Sequence, residues 1–170
     1  NFAGADKTVE YREGLFVGYR YFESAEKPVQ FPFGYGLSYT TFAYSDLTAD
    51  ANGVTLTVTN TGDVAGSEIV QLYIGKPGSK IIRPAKELKG FAKVHLAPGE
   101  KKSVTILFDD MTFRYWNTGT SRWETEPGRY EIMVGASVAD IRLRAAVVIA
   151  GTHAPLPEQN PVLNCYYKAD

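Results

Sequence analysis

The residues of this 170-residue chain that are best suited to moving protons come in two acidic pairs, Asp109 with Asp110 and Glu124 with Glu126. Two carboxylates facing one another across a site can divide general acid and general base work between them. Adjacent residues on a strand point to opposite faces, so Asp109 and Asp110 do not converge, and both pairs read as turn or edge carboxylates that are structural or solvated. His95 sits in the strand-like pattern Lys93-Val94-His95-Leu96 and His153 in the tail. Neither has the helical His-Glu-x-x-His spacing of a zinc site, and no serine is singled out by spacing to either imidazole as a nucleophile. Gly34-Tyr35-Gly36 begins like a dinucleotide fingerprint, yet Tyr39 takes the third glycine position and no βαβ unit surrounds it. These glycines are expected to let backbone approach backbone between aromatic rings. No catalytic residue, metal or cofactor is expected in this chain.

Aromatic side chains offer a second kind of chemistry. Trp116 and Trp123 flank Asn117-Thr118-Gly119-Thr120, a hairpin-like turn. An indole can stack on the apolar C–H face of a pyranose, so the pair is a candidate sugar platform; a core or interface plug is the competing reading. Residues 1–39 are rich in aromatics without a clean period, and such a segment has to pack against something. Tyr11, Phe16, Tyr19, Arg20, Tyr21, Phe31, Phe33 and Tyr35 are therefore candidates for interdomain packing. The most basic stretch, Lys76, Lys80, Arg83, Lys86, Lys89 and Lys93, reads as solubility and edge protection, with contact to an acidic domain face or a polysaccharide as the functional alternative.

These residues need a scaffold, and the pattern from Thr40 onward supplies one. Short alternating runs are separated by Gly, Pro, Asn and Asp, as in antiparallel strands with one buried face. Strands are predicted over 40–47, 53–60, 67–75, 87–96, 101–108, 129–135 and 140–148. Val54, Leu56 and Val58 take one face of the second while Thr55, Thr57 and Thr59 take the other. The third is apolar on both sides, with Val70, Leu72 and Ile74 toward the core and Gln71 and Tyr73 opposite, which places it centrally. Lys76 to Lys86 holds Pro77, Gly78 and Pro84 and reads as a long loop. About seven strands at this spacing predict an all-β fold, an immunoglobulin-like or fibronectin type III-like antiparallel sandwich, with a closed barrel as the alternative. The expected organisation is an aromatic lead-in over 1–39, the sandwich over 40–150, and a Pro-rich tail or linker over 151–170.

Composition removes several classes of function. With 18 Lys plus Arg against 19 Asp plus Glu the net charge is -1, so no field of one sign exists to attract nucleic acid or anionic lipid. The longest apolar stretch, Ala145 to Gly151, is far shorter than the roughly 20 residues a membrane helix needs, so no membrane partner is expected. The single Cys165 cannot close an internal disulfide and leaves the redox compartment, and with it the localisation, open. No signal peptide is expected in a chain that opens Asn1-Phe2-Ala3-Gly4-Ala5-Asp6.

The runs Tyr11-Arg12-Glu13-Gly14-Leu15-Phe16-Val17-Gly18-Tyr19-Arg20-Tyr21-Phe22 and Phe31-Pro32-Phe33-Gly34-Tyr35-Gly36-Leu37-Ser38-Tyr39 resemble the segment of family 3 glycoside hydrolases that precedes their fibronectin type III-like domain. Arg83-Pro84-Ala85-Lys86-Glu87-Leu88-Lys89-Gly90-Phe91, Leu96-Ala97-Pro98-Gly99-Glu100 and Gly128-Arg129-Tyr130-Glu131-Ile132-Met133-Val134-Gly135 are similar to the domain itself. The resemblance implies a parent enzyme of the β-glucosidase type that hydrolyses β-linked glucosides, or sometimes xylosides, with retention, using two carboxyl groups about 5 to 5.5 Å apart. The family's Ser-Asp-Trp nucleophile motif and its Lys-His dipeptide lie on the catalytic barrel and do not occur here. The expected role is thus a non-catalytic structural or docking domain whose partners are the parent's catalytic domains, with a carbohydrate-binding module for β-glucan or gluco-oligosaccharide as the alternative. Most members place this domain last, whereas the Pro155 to Asp170 tail reads as a linker toward a further domain.

Overall fold

A computed structural model describes residues 3–5, 7–10 and 13–158. Two short strands, β1 (Ala3–Ala5) and β2 (Thr8–Glu10), and one short helix, α1 (Tyr19–Ser24), precede the sandwich. The sandwich strands are β3 (Phe42–Ala49), β4 (Gly53–Asn60), β5 (Gly66–Gly75), β6 (Glu87–Leu96) and β7 (Lys101–Leu107). A hairpin, β8 (Arg114–Asn117) and β9 (Arg122–Thr125), intervenes before β10 (Gly128–Gly135) and β11 (Ile141–Ile149). Every pairing is antiparallel.

Seven strands form two sheets, one ordered β3-β4-β7 and the other β11-β10-β5-β6. No ladder joins β3 to β11 or β7 to β6, so the sheets stack as a sandwich and the barrel alternative falls. The central position expected for the third run is met by β5, which pairs β10 on one side and β6 on the other. The first strand begins two residues later than its alternation predicts. The hydroxyl of Thr40 turns to Asn60 Oδ1 at 2.6 Å, and the left-handed backbone of Asp46 shifts the β3–β4 register, carrying the strand on to Ala49.

The two inner faces meet in one core. Val54, Leu56 and Val58 of β4 pack with Val70, Leu72 and Ile74 of β5 and with Ile132 and Val134 of β10. Burying one such side chain contributes about 1.5–3 kcal/mol, so this layer dominates stability. The Thr face of β4 is tied across strands by its hydroxyls, with Thr55 and Thr105 3.0 Å apart.

A second buried cluster lies on the opposite face of the four-stranded sheet. Tyr73, Met133 and Val138 form it, with Tyr19, Leu88 and Ile141 packed against them. Gln71 and Tyr73 point away from the main core as expected, yet both are buried because the lead-in covers them. Hairpin β8–β9 belongs to neither sheet, and the chain after β11 runs along it. Thr152 N–H donates to Thr125 O at 2.8 Å, Thr125 N–H to Thr152 Oγ1 at 3.0 Å, and Asn117 Nδ2 to Pro155 O at 2.8 Å.

Candidate functional site

The lead-in is a strap laid over the outer face of β11-β10-β5-β6, and its fastenings are specific. Tyr19 stacks on Phe33 with ring centroids 4.5 Å apart and meets Tyr73 edge-on at 6.2 Å, while its hydroxyl oxygen accepts the Leu88 N–H at 2.8 Å. Ser24 Oγ accepts the Ala85 N–H at 2.9 Å, and Lys86 pairs with Glu23. Gln71 donates through Nε2 to Gly34 O at 3.1 Å and to Ala136 O, and accepts the Tyr73 hydroxyl at 2.6 Å. Val138 N–H donates to Phe33 O at 3.0 Å. Desolvation pushes the Tyr73 phenol well above the usual tyrosine range, so it stays neutral and donating. Gly34 has a left-handed backbone, and a Cβ there would stand 2.0 Å from Gln71 Oε1. The close approach at Gly34 is therefore to a side chain rather than to backbone, and Gly36 meets nothing within 4 Å.

The residues expected to pack between domains separate into two sets. Phe16 is buried, Tyr19 packs on the sheet, and Phe33 stacks on Tyr19 while staying 45% exposed. Tyr21 is half-buried, edge-on to Phe22. Phe31 and Tyr35 lean on one another at 5.6 Å and stay exposed, Phe31 by 67%. They are joined on the outer surface by Leu15, Val17 and Phe22 and by Leu37 and Tyr39, which are 88% and 99% exposed. Tyr11 lies outside the described residues.

Arg20 belongs elsewhere. It lines a groove of about 590 Å³ between the strap, the 76–86 loop and hairpin β8–β9. Trp116 and Trp123 form the groove's aromatic wall as a cross-strand pair, edge to face with centroids 5.6 Å apart and 50% and 48% exposed. They are not core plugs within this chain, since neither joins a buried cluster.

The floor of the groove rests on a buried ion pair that local spacing does not mark. Arg83 Nε lies 3.9 Å from Glu126 Oε2 with both side chains nearly enclosed, and Arg83 also donates to Phe113 O and covers the rings of Tyr115 and Tyr130. Glu126 accepts the Ser79 hydroxyl at 2.7 Å and the Lys80 N–H at 2.8 Å, pinning the loop. Tyr130 donates to Glu126 O at 2.7 Å, and burial pushes its phenol up to about 12. The basic stretch is accordingly not mainly a solvated edge. Lys76 donates to Pro127 O, Lys86 to Glu23 and Val138 O, and Lys89 lies 3.6 Å from Glu87.

The remaining polar candidates are engaged in turns. Asp109 accepts the Thr112 hydroxyl at 2.7 Å and the Met111 N–H at 3.0 Å, and the Thr112 bond above all holds its carboxyl below the ordinary value. Glu124 accepts the Thr120 hydroxyl at 3.2 Å, and the exposed His95 ring lies 3.1 Å from the Ser67 hydroxyl. Among the described residues no group of three or more His, Cys, Asp or Glu side chains is placed to hold a metal ion, and no helix is long and apolar enough to cross a membrane.

Comparison with known proteins agrees with this architecture. Residues 68–138 match the family described as the fibronectin type III-like domain. The chain is 51% identical over 154 residues to a probable β-glucosidase K of Emericella nidulans, covering 89% of this chain and 18% of that protein. It is 48% identical to a thermostable β-glucosidase B of Acetivibrio thermocellus, covering 89% and 21%. Among solved structures, a family 3 β-glucosidase of Bifidobacterium adolescentis superposes with a TM-score of 0.84 at 42% identity, covering 92% of this chain and 24% of that one. A Kluyveromyces marxianus β-glucosidase in complex with glucose gives 0.80 at 46%, covering 85% and 18%. The chain thus spans about a fifth of the length of the relatives it matches.

Proposed function

Because this chain belongs with the fibronectin type III-like domains of family 3 glycoside hydrolases of the β-glucosidase type, we propose that it is a non-catalytic bracing domain, docked on the catalytic domains of a parent that removes terminal β-D-glucosyl residues with retention. In this role the sandwich is a rigid block and residues 13–41 are the element through which it grips its neighbour. The single observation that carries the proposal is the two-sidedness of the strap. Its inner side is fastened by the Tyr19, Gln71 and Ser24 hydrogen bonds, while Val17, Phe22, Phe31, Tyr35, Leu37 and Tyr39 remain exposed. An exposed apolar patch of this kind on a rigid support is what an interface presents. A segment held so firmly on one side also has little ordering entropy left to lose when its other side is covered.

The engagement of Asp109, Glu124 and Glu126 in turn hydrogen bonds and an ion pair supports a role without bond cleavage in this chain. The experiment compares the intact parent enzyme with a Phe31→Ser, Leu37→Ser, Tyr39→Ser triple variant. Docking predicts a clear loss of thermal half-life with turnover of an aryl β-glucoside nearly unchanged at low temperature. A half-life indistinguishable from the unaltered enzyme would remove the proposal.

A further inference from the structure

The groove beside the Trp pair is not needed for docking through the strap's outer face, and it has a chemistry of its own. We infer that it is a binding site for a β-linked gluco-oligosaccharide, with Trp116 and Trp123 as the stacking wall and Arg20 and Arg114 as donors to sugar hydroxyls. Hairpin β8–β9 stands outside both sheets, and its register sets the two indoles side by side on one face. Folding left this pair half in water although both sheets offer buried positions, and both indoles line the groove.

The polar fringe selects the ligand class. Among the described residues no hydrogen bond or ion pair engages the guanidinium groups of Arg20 and Arg114, whereas Arg83 is held by Glu126 and Lys89 by Glu87. A purely apolar occupant would strip water from the two uncommitted guanidinium groups and the Glu87–Lys89 pair without replacing it. An acidic peptide would satisfy the arginines and leave the indoles idle. A pyranose with equatorial hydroxyls meets both demands, because its C–H faces are apolar and its rim carries donors and acceptors in the ring plane. Gluco-configured rings joined by β-linkages keep these faces flat from one unit to the next, so one indole can stack on a ring while the other, its plane turned by 73°, flanks the chain with its edge. A groove of about 590 Å³ is within the ordinary range for small-ligand sites and holds more than one ring.

The chain has two tryptophans and both line the groove, so intrinsic tryptophan emission reports on it directly. The test titrates the full chain with cellobiose, cellotetraose, maltotetraose and the acyclic polyol sorbitol. A saturable emission change is expected with cellotetraose, half-complete in roughly the millimolar range, weaker with cellobiose and maltotetraose and absent with sorbitol. Trp123→Phe should keep most of the affinity, Trp123→Ala should lose about tenfold, and Arg114→Ala should lose about fivefold. Broadening of the oligosaccharide's own proton resonances gives a readout independent of the indoles. Arg114→Ala, at an exposed strand position, serves where a Trp variant disturbs the hairpin. A flat cellotetraose titration, an equal response to sorbitol, or unchanged line broadening with the folded Trp123→Ala variant each overturns the inference. None of these outcomes touches the docking proposal, whose test alters other residues.

Discussion

The two faces of the β11-β10-β5-β6 sheet are both buried, but by different means. Its inner face meets β3-β4-β7 mainly through Val, Leu and Ile side chains, with a few side-chain hydrogen bonds between the sheets, Asn60 Nδ2 to Leu96 O at 3.1 Å and Arg142 to Phe42 O at 3.0 Å. Its outer face meets the strap through Tyr19, Phe33 and Tyr73 and through the hydrogen bonds of Gln71, Tyr19 and Ser24. The first interface is non-directional and tolerant of detail, whereas the second depends on particular donors and acceptors meeting. A sandwich therefore supplies the stability, and a polar and aromatic seam decides where the lead-in lies.

This contrast can be broken from either side. The largest effect is expected at the inner face, where Leu72→Ala leaves a cavity in a fully buried layer and should cost about 3–5 kcal/mol in urea unfolding. Glu126→Ala tests the buried pair beneath the groove. It strips Arg83 of its counter-ion and Ser79 and Lys80 N–H of their acceptor, for an expected cost of about 3 kcal/mol. An Arg83→Met, Glu126→Ala double variant should recover part of that loss, and failure to recover would show that the pair's charges are not what matters.

At the seam, Gly34→Ala combines a left-handed backbone with a collision on Gln71 and should cost about 1–3 kcal/mol. Tyr19→Phe removes only the acceptor for the Leu88 N–H and should cost about 1 kcal/mol. For both, hydrogen exchange sharpens the comparison. Protection of the Leu88 amide should fall while that of Leu56 and Ile132 holds, and a uniform fall would mean that strap and core open as one unit.

The smallest effect concerns pH. Asp109 is held below its ordinary value, chiefly by the Thr112 hydroxyl, so its ionised form favours the folded state. That contribution is present above the unfolded carboxylate value and is lost as pH falls through the folded one. Asp109→Asn should therefore lower the melting temperature slightly near neutrality, with the difference vanishing in acid. A difference that grew on acidification would contradict the assignment.

How much of this was legible depended on the range of the forces involved. Alternation alone marks Gly53–Asn60 with the bounds it has in the fold, because a strand with one buried face records its burial in every second residue. Thr40 and Thr41 were assigned to a strand by the same rule and are not in one, since the Asn60 side chain captures the Thr40 hydroxyl. The turn between Trp116 and Trp123 marks them as a pair in the sequence, but their exposure follows from a hairpin that stands apart from both sheets. Arg83 looked like one more surface cation, and only its approach to Glu126 turns it into a buried anchor. Tyr11 remains outside the described residues, so its part in the strap is not placed.

By itself the sequence determined the sandwich class and its succession of about seven strands, because these follow from a period-two distribution of apolar side chains and from turn residues that act over a few positions. It also carried the family resemblance in contiguous motifs. Only the tertiary structure decided which side of the strap is fastened, which cations are committed to carboxylates, and that Arg20 and Arg114 share a groove with both indoles. Those outcomes rest on contacts between residues distant in the chain, whose energies depend on distance and burial that no local pattern records.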